Sequence, residues 1–290
     1  MGRYRVWWQP LVVLTALTAF FIFLYHVDNK YQTSPPYGSA GVISLNEGVL
    51  SRGTPVYLID GWLLTDARVT DKPTYVGEFS NLQRGNPLVS PHGQAVYQMT
   101  LRYDGAPQIA AVDFPQLSSR YSVFLDDVCL AEGVGNGHIT FLLTAGDHDL
   151  RVETVSGIGY YSGMYFPPAL GTEQTLSRIR NVQGAAYAAA FLFPLTLAVF
   201  TLFLWRTGGR SSRFFGLLCC CYALYIFRYF VFLFSISAAP YWFFVQSLAL
   251  YGLCFCVVQL TALASGVAED MAWRWMRVVL VVLPVAMLLL

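Results

Sequence analysis

Four stretches of this chain stay apolar for about twenty residues each, and between the first and second of them polar and apolar positions alternate instead. The apolar stretches are Val6 to about Tyr25, Ala185–Trp205, Phe214–Ile236 and Tyr241–Ser265. A fifth begins near Val278 and reaches Leu290 after thirteen residues. A hydrocarbon core takes roughly 20 apolar residues per helix, so each full stretch reads as a membrane span. The fifth stops short of a span, and the chain therefore reads as the amino-terminal part of something longer. The first ends in Leu24-Tyr25-His26-Val27, which lacks the small residues of a cleavage site and so predicts an uncleaved anchor.

Between the first two spans the period is that of strands. Tyr97-Gln98-Met99-Thr100-Leu101-Arg102-Tyr103 puts Tyr97, Met99, Leu101 and Tyr103 on one face, and Asp149–Thr154 turns Leu150 and Val152 inward. Further strands are expected over Val56–Leu64, Thr74–Phe79, Ile109–Phe114, Tyr121–Leu125, Val128–Ala131 and Ile139–Leu143. Turn residues separate them at Asp60-Gly61, Asp104-Gly105, Asp126-Asp127 and Ala145-Gly146-Asp147. About eight short strands at this spacing predict an all-β sandwich, most simply a jelly roll. Thr172 can cap a helix that opens at Glu173 and runs into the second span.

Charge separates the same parts. Fifteen of the seventeen acidic and ten of the eighteen basic residues lie between Asp28 and Arg180, a net 10 − 15 = −5, against 8 − 2 = +6 elsewhere. The basic clusters fall before the first span (Arg3, Arg5), between the second and third (Arg206, Arg210, Arg213) and before the fifth (Arg274, Arg277). All lie on one side if the amino terminus is cytoplasmic. The fold class is thus a membrane protein, an external β-domain followed by a helical bundle. Its expected parts are an anchor at 1–27, an external sandwich at 28–172, a juxtamembrane helix at 173–184 and a bundle at 185–290. The location is an inner plasma membrane crossed several times, with residues 28–180 outside.

Composition narrows the chemistry. With 56% hydrophobic and 12% charged residues and a mean hydropathy of +0.49, the chain is outside the soluble range. An acidic external domain gives no basis for nucleic-acid binding. Cys129 is the one cysteine of the polar region, which predicts no disulfide framework there, and the four histidines show no metal-ligand spacing. No nucleophile elbow, phosphate loop or zinc-protease signature is present. Neither a metal, a cofactor nor a catalytic residue is expected.

The order of parts, the hairpin Tyr121–Glu132 and the run Tyr161-Ser162-Gly163-Met164-Tyr165-Phe166-Pro167-Pro168-Ala169-Leu170-Gly171 before the next span resemble the bacterial seven-transmembrane receptors with diverse intracellular signalling modules. The resemblance covers most of the chain. It implies a carbohydrate-binding-like external fold, and a cytoplasmic output such as a sensor histidine kinase, a diguanylate cyclase or a phosphatase. It also implies signal transduction through a homodimer. The chain departs from the pattern in having four spans after the domain instead of seven, and no output module.

Candidate ligand residues follow. Tyr160, Tyr161 and Tyr165 cluster in a loop, and with Tyr121 they offer flat faces and hydroxyls that suit a sugar ring; core filling or headgroup contact suits them too. Arg102 and Arg120 suit a ligand carboxylate or hydroxyl pair, or plain solvation. Arg228, eight residues from the outer end of the third span, is expensive in lipid, and either snorkels or faces the bundle with Gln246 or Gln259 as partner. Pro194 can kink the second span. Arg228 and Pro194 are the signal-coupling candidates. The run Cys219-Cys220-Cys221 reads as small helix packing. The expected function is a receptor that binds a small, sugar-like external ligand and relays the event through the bundle. A transporter or export subunit, or an accessory membrane protein, with an external substrate-binding domain is the alternative; the lack of repeated halves disfavours the transporter.

Overall fold

A computed structural model of the chain describes residues 29–31, 33–67, 69–76, 93–156, 163–204, 209–234 and 242–265, with isolated positions towards the ends (12, 15, 18–23, 25–26, 275–276, 278–279 and 282). The alternating region forms nine strands: β1 (Val42–Leu45), β2 (Val56–Tyr57), β3 (Trp62–Asp66), β4 (Val69–Thr74), β5 (Gly93–Tyr103), β6 (Gln108–Leu125), β7 (Val128–Leu143), β8 (Gly146–Ser156) and β9 (Ala169–Gly171). A one-turn helix, α1 (Glu47–Leu50), follows β1 and is capped by the Asn46 side chain.

All nine strands belong to one sheet, ordered β2-β9-β6-β8-β5-β3-β4, with β1 added in parallel to β5 and β7 paired with β6. Strand β6 curls it. Its early residues Ala111–Asp113 pair with β9, its late residues Arg120–Leu125 pair with β8, and β7 runs along its other edge. The corner lies between Phe114 and Tyr121, where the β6–β7 register shifts twice. Gln116 sits there at φ 52°, its N–H bonded to Asn136 Oδ1 at 2.7 Å. The separate strands expected at Ile109–Phe114 and Tyr121–Leu125 are thus one bent strand, as are those expected at Val128–Ala131 and Ile139–Leu143. Pro115 does not end β6 because proline is tolerated at a bulge.

The core fills the space inside the curl. Tyr97, Met99, Leu101 and Tyr103 are all buried, as are Leu150 and Val152 on the neighbouring β8. Trp62 is fully buried, donates from Nε1 to the Leu58 carbonyl at 2.8 Å, and meets the Tyr97 ring edge-on. Burial of such side chains, worth about 1.5–3 kcal/mol each, drives the curl. The run Val56–Leu64 breaks into two strands at Gly61 (φ 86°), where Gly38 backbone approaches so closely that a Cβ would meet it at 2.4 Å. The strand expected from Thr74 lies earlier, at Val69–Thr74; it is the sheet's edge and so accommodates Pro73. Residues 77–79 lie outside the described ones.

The second half is helical: α2 (Glu173–Phe203), α3 (Arg210–Ile226), α4 (Arg228–Leu233) and α5 (Trp242–Ser265). Helix α2 opens where Thr172 Oγ1 accepts the Thr175 N–H at 3.3 Å, and it contains Pro194. Three helices are long and apolar enough to cross a membrane, namely Glu173–Thr201, Arg210–Leu233 and Phe244–Ser265. Phe193, Phe200, Phe203, Leu250 and Val257 point outward from them, and small residues fill the contacts between them. A Cβ on Gly216 would meet Thr201 Oγ1 at 2.2 Å, and one on Gly252 would meet Cys221 Sγ at 2.6 Å. That is the packing mode of helices in lipid, where close backbone approach supplies the attraction. The first and fifth apolar segments lie largely outside the described residues.

Candidate functional site

The long β6–β7 hairpin touches two helices, and each contact has its own chemistry. On β6, Asp113 faces His138, its register partner on β7. His138 Nδ1 lies 2.5 Å from Asp113 Oδ1, and its Nε2 lies 2.7 Å from Glu173 Oε2. Arg180 closes the ring: Nη1 donates to both Asp113 oxygens at 2.6 and 2.9 Å, and Nη2 donates to Glu173 Oε1 at 3.0 Å. Glu173 and Arg180 are seven residues apart, two turns along one face of α2. The second contact is apolar: Val231 and Phe232 of α4, both buried, pack with Val134 of β7, Phe227 and Trp242.

Two adjoining cavities lie in this junction. The first, of about 330 Å³, is lined by Asp113, His138 and Arg180 together with Tyr57, Asn136 and Leu176. The second, of about 540 Å³, is lined by Lys30, Tyr31, Tyr187, Arg228, Tyr229 and Gln246 among others. Lys30, Gln116 and Tyr229 line both. Tyr187 of α2 and Tyr229 of α4 stack face to face at 3.9 Å. Tyr31 donates from its hydroxyl to the Tyr165 carbonyl at 2.7 Å. Burial, and then the neighbouring Tyr165 phenol, push the Tyr31 hydroxyl up to about 12, so it stays a neutral donor.

The residues singled out from the sequence do not form one cluster. Arg102 is exposed and forks onto Asp147, its register partner on β8, at 2.8 and 3.0 Å. Arg120 is also exposed and is opposite Val155 of β8. Eight residues of strand separate those two partners, roughly 26 Å, so the two arginines do not share a ligand. Tyr121 is buried, and burial pushes its phenol up. Its ring spans the glycines of β7, where a Cβ on Gly137 would meet Tyr121 Oη at 2.7 Å. Tyr121 therefore packs at the corner of the sheet. Tyr165 is half-buried, edge-on to Phe166 at 4.8 Å. Tyr160 and Tyr161 lie outside the described residues. Pro194 is buried within α2. Arg228 follows the break at Phe227, shares the larger cavity with Gln246, and holds its guanidinium 5.3 Å from the Phe232 ring. Gln259 is buried elsewhere on α5.

Nothing in the local sequence pattern marks His138, Glu173 or Lys30 as site residues. Asp113 does carry a signal, as the one acid in the apolar run Ile109–Phe114. Among the described residues, no group of three or more His, Cys, Asp or Glu side chains is arranged to hold a metal ion.

No protein-family model matches the chain, and no curated protein matches it. Solved structures that it resembles in part include a GH2 beta-galacturonidase from Eisenbergiella tayi bound to galacturonate. That likeness has 16% identity and a TM-score of 0.30, over 38% of this chain and 23% of that one. An FMN-binding beta-glucuronidase from Facaelibacterium prausnitzii L2-6 is 14% identical over 40% of this chain and 22% of that one, with a TM-score of 0.33. A Bacteroides Uniformis beta-glucuronidase is 13% identical over 40% and 17%, with a TM-score of 0.32. The chain thus spans less than a quarter of each of these proteins. Similarity of this degree carries nothing about shared activity.

Proposed function

We propose that this chain is the input part of a membrane receptor, in which an external β-domain binds a small, sugar-like molecule and passes the event to membrane helices. In this reading residues 1–27 anchor the chain and 28–172 form the external domain, a jelly-roll-like sandwich. Residues 173–184 leave the domain as a helix, and 185–290 begin the bundle. The arginine clusters support a cytoplasmic amino terminus in this reading.

The observation that carries the proposal is the ring of Asp113, His138, Glu173 and Arg180. It ties the bent hairpin to the first turns of the helix that enters the bundle, with no intervening linker. A domain fixed by two carboxylates, a guanidinium and an imidazole moves its helix when it moves; a flexible tether would absorb the motion. The apolar contact of Val134 with Val231 and Phe232 gives the hairpin a second hold on a different helix.

The test is a ligand screen on the full chain in lipid nanodiscs, read as thermal shift, across neutral sugars, sugar acids and peptides. The receptor reading predicts a saturable shift with at least one class. Silence across all of them contradicts it.

A further inference from the structure

We infer that Cys221 of α3 and Cys256 of α5 are a redox-modification site, in which a lipid-soluble oxidant of the quinone class joins the two thiols as a disulfide and locks the helices together. The inference goes beyond the receptor reading and does not rest on it; it needs only that α3 and α5 lie in lipid.

The meeting of the two sulfurs is the first reason. The space that a Cβ on Gly252 would fill is taken by Cys221, whose Sγ lies 2.6 Å and whose Cβ lies 3.6 Å from that point. Cys256 follows Gly252 by four residues, on the same face of α5. Helical side chains lean over the turn before them, so the Cys256 thiol leans back towards Gly252, where Cys221 enters. The two thiols share a hydrogen bond there. The absence of a side chain at 252 lets the helices approach closely. A disulfide needs that approach, because its Cβ atoms stand only about 3.5–4.5 Å apart.

Depth in the bilayer is the second. In the membrane-length segments Arg210–Leu233 and Phe244–Ser265, Cys221 stands eleven and twelve residues from the ends of its segment, and Cys256 twelve and nine. At 1.5 Å per residue each is roughly 14–18 Å from either end, near the middle of a hydrocarbon core about 30 Å thick. Water and hydrated oxidants are excluded from that depth, whereas a quinone dissolves there. Cys221 is partly exposed and Cys256 is buried, so the oxidant meets the first thiol and the second closes the bond. A single thiol in hydrocarbon is unreactive because its charged form is disfavoured; a second thiol held in contact makes the step intramolecular. Two S–H bonds break and one S–S bond forms, and the two electrons and two protons reduce the quinone to its quinol.

The full chain in phosphatidylcholine nanodiscs is treated with decylubiquinone, unfolded in detergent and alkylated with a maleimide-linked polyethylene glycol. A variant that keeps only Cys221 and Cys256, with the other four cysteines changed to serine, should lose both alkylatable thiols and the mass of two hydrogens. A reductant should restore them. With Cys221→Ala or Cys256→Ala added, the remaining thiol should stay alkylatable throughout. Gly252→Ala, which turns the Cys221 thiol away, should lower the yield of disulfide. Peptide mass mapping of the oxidised parent should find the same Cys221–Cys256 crosslink, and this keeps the test if the variant fails to fold. Thiols that stay alkylatable under both decylubiquinone and copper phenanthroline overturn the inference. A disulfide formed only by copper phenanthroline overturns the quinone as its oxidant, and a crosslink of either residue to another cysteine in the parent overturns the pairing.

Discussion

Arg180, near the start of α2, donates from one nitrogen to both carboxylate oxygens of Asp113 on β6, at 2.6 and 2.9 Å. Sixty-seven residues separate the two in sequence, and this contact joins the β-domain to the first of the membrane-length helices. Both side chains are mostly buried, at 31% and 18% exposure. Substitution of either leaves a partly desolvated charge behind. Asp113→Asn and Arg180→Gln should therefore each destabilise the full chain by about 1–3 kcal/mol. The double variant should cost less than their sum, as a double-mutant cycle by thermal unfolding would measure. Additive losses would mean that the two charges are not coupled.

The packing of α3 against α5 makes a sharper steric prediction. Gly252 has no room for a side chain because Cys221 Sγ occupies that space. Gly252→Val should cost about 1–3 kcal/mol through overpacking, and Gly252→Val with Cys221→Ala should recover part of it. Detergent-solubilised thermal stability reads both. Equal stability of Gly252→Val and the parent would remove this contact from the account.

The turn between β6 and β7 holds Asp126 at φ 49° and Asp127 at φ 65°, the geometry of a two-residue hairpin loop. Asp127 is exposed, with 86% of its side chain accessible. Asp127→Gly should be neutral or stabilising by up to about 1 kcal/mol, whereas Asp127→Val should destabilise by about 1–2 kcal/mol. Thermal unfolding of the pair distinguishes them, and no difference would contradict the turn.

Asp126 and His148 give a pH dependence. Burial works against the charged form of each. On Asp126 it is outweighed by the hydrogen bond from His148, the Asp149 N–H and the imidazole charge, which together lower the carboxyl below its ordinary 3.8. On His148 burial is outweighed by hydrogen bonds to Asp126 and the Thr144 carbonyl and by the Asp126 and Asp147 charges, which raise the ring above 6.5. The contribution of His148 is therefore full below pH 6.5 and is lost as pH rises through its folded value. That of Asp126 is full above pH 3.8 and is lost as pH falls through its folded value. Together they favour the fold most between those limits, by less than about 1 kcal/mol given solvent screening. Asp126→Asn should flatten the alkaline part of this profile. An unchanged slope between pH 6 and 8 would exclude the pair as its source.

The fold was legible where side-chain periodicity matched burial. Tyr97, Met99, Leu101 and Tyr103 alternate in sequence and line the core, because one face of β5 is buried along that length. The bend in β6 was not legible, since Pro115 and the paired serines 118 and 119 look like a strand end. What continues the strand is distant: Asn136 and the glycines of β7 that receive Tyr121. The same holds for the junction. Arg180 closes the charge-rich segment in sequence, but its partners Asp113 and His138 come from strands whose pairing no local pattern reveals. Arg102 stood out as a charge on an exposed face, and its partner Asp147 depends on the β5–β8 register.

Orientation is tested independently of stability. Cys129 is exposed on β7 and is the one cysteine of the β-domain. In spheroplasts carrying the full chain, a membrane-impermeant maleimide should label Cys129, with Cys129→Ser as control. A cysteine introduced by Gly209→Cys should be labelled only after permeabilisation. The reverse pattern would place the β-domain in the cytoplasm and end the external-ligand reading.

The central claim is that the β6–β7 hairpin holds the β-domain in a fixed relation to the helices. Spin labels on Cys129 and on a Leu204→Cys variant, in a full chain otherwise free of cysteine and held in nanodiscs, measure that relation as a distance distribution. The account predicts one narrow distribution for the parent and a clearly broader one once Asp113→Asn and Arg180→Gln remove the ion pair. A parent distribution as broad as that of the variant would contradict it.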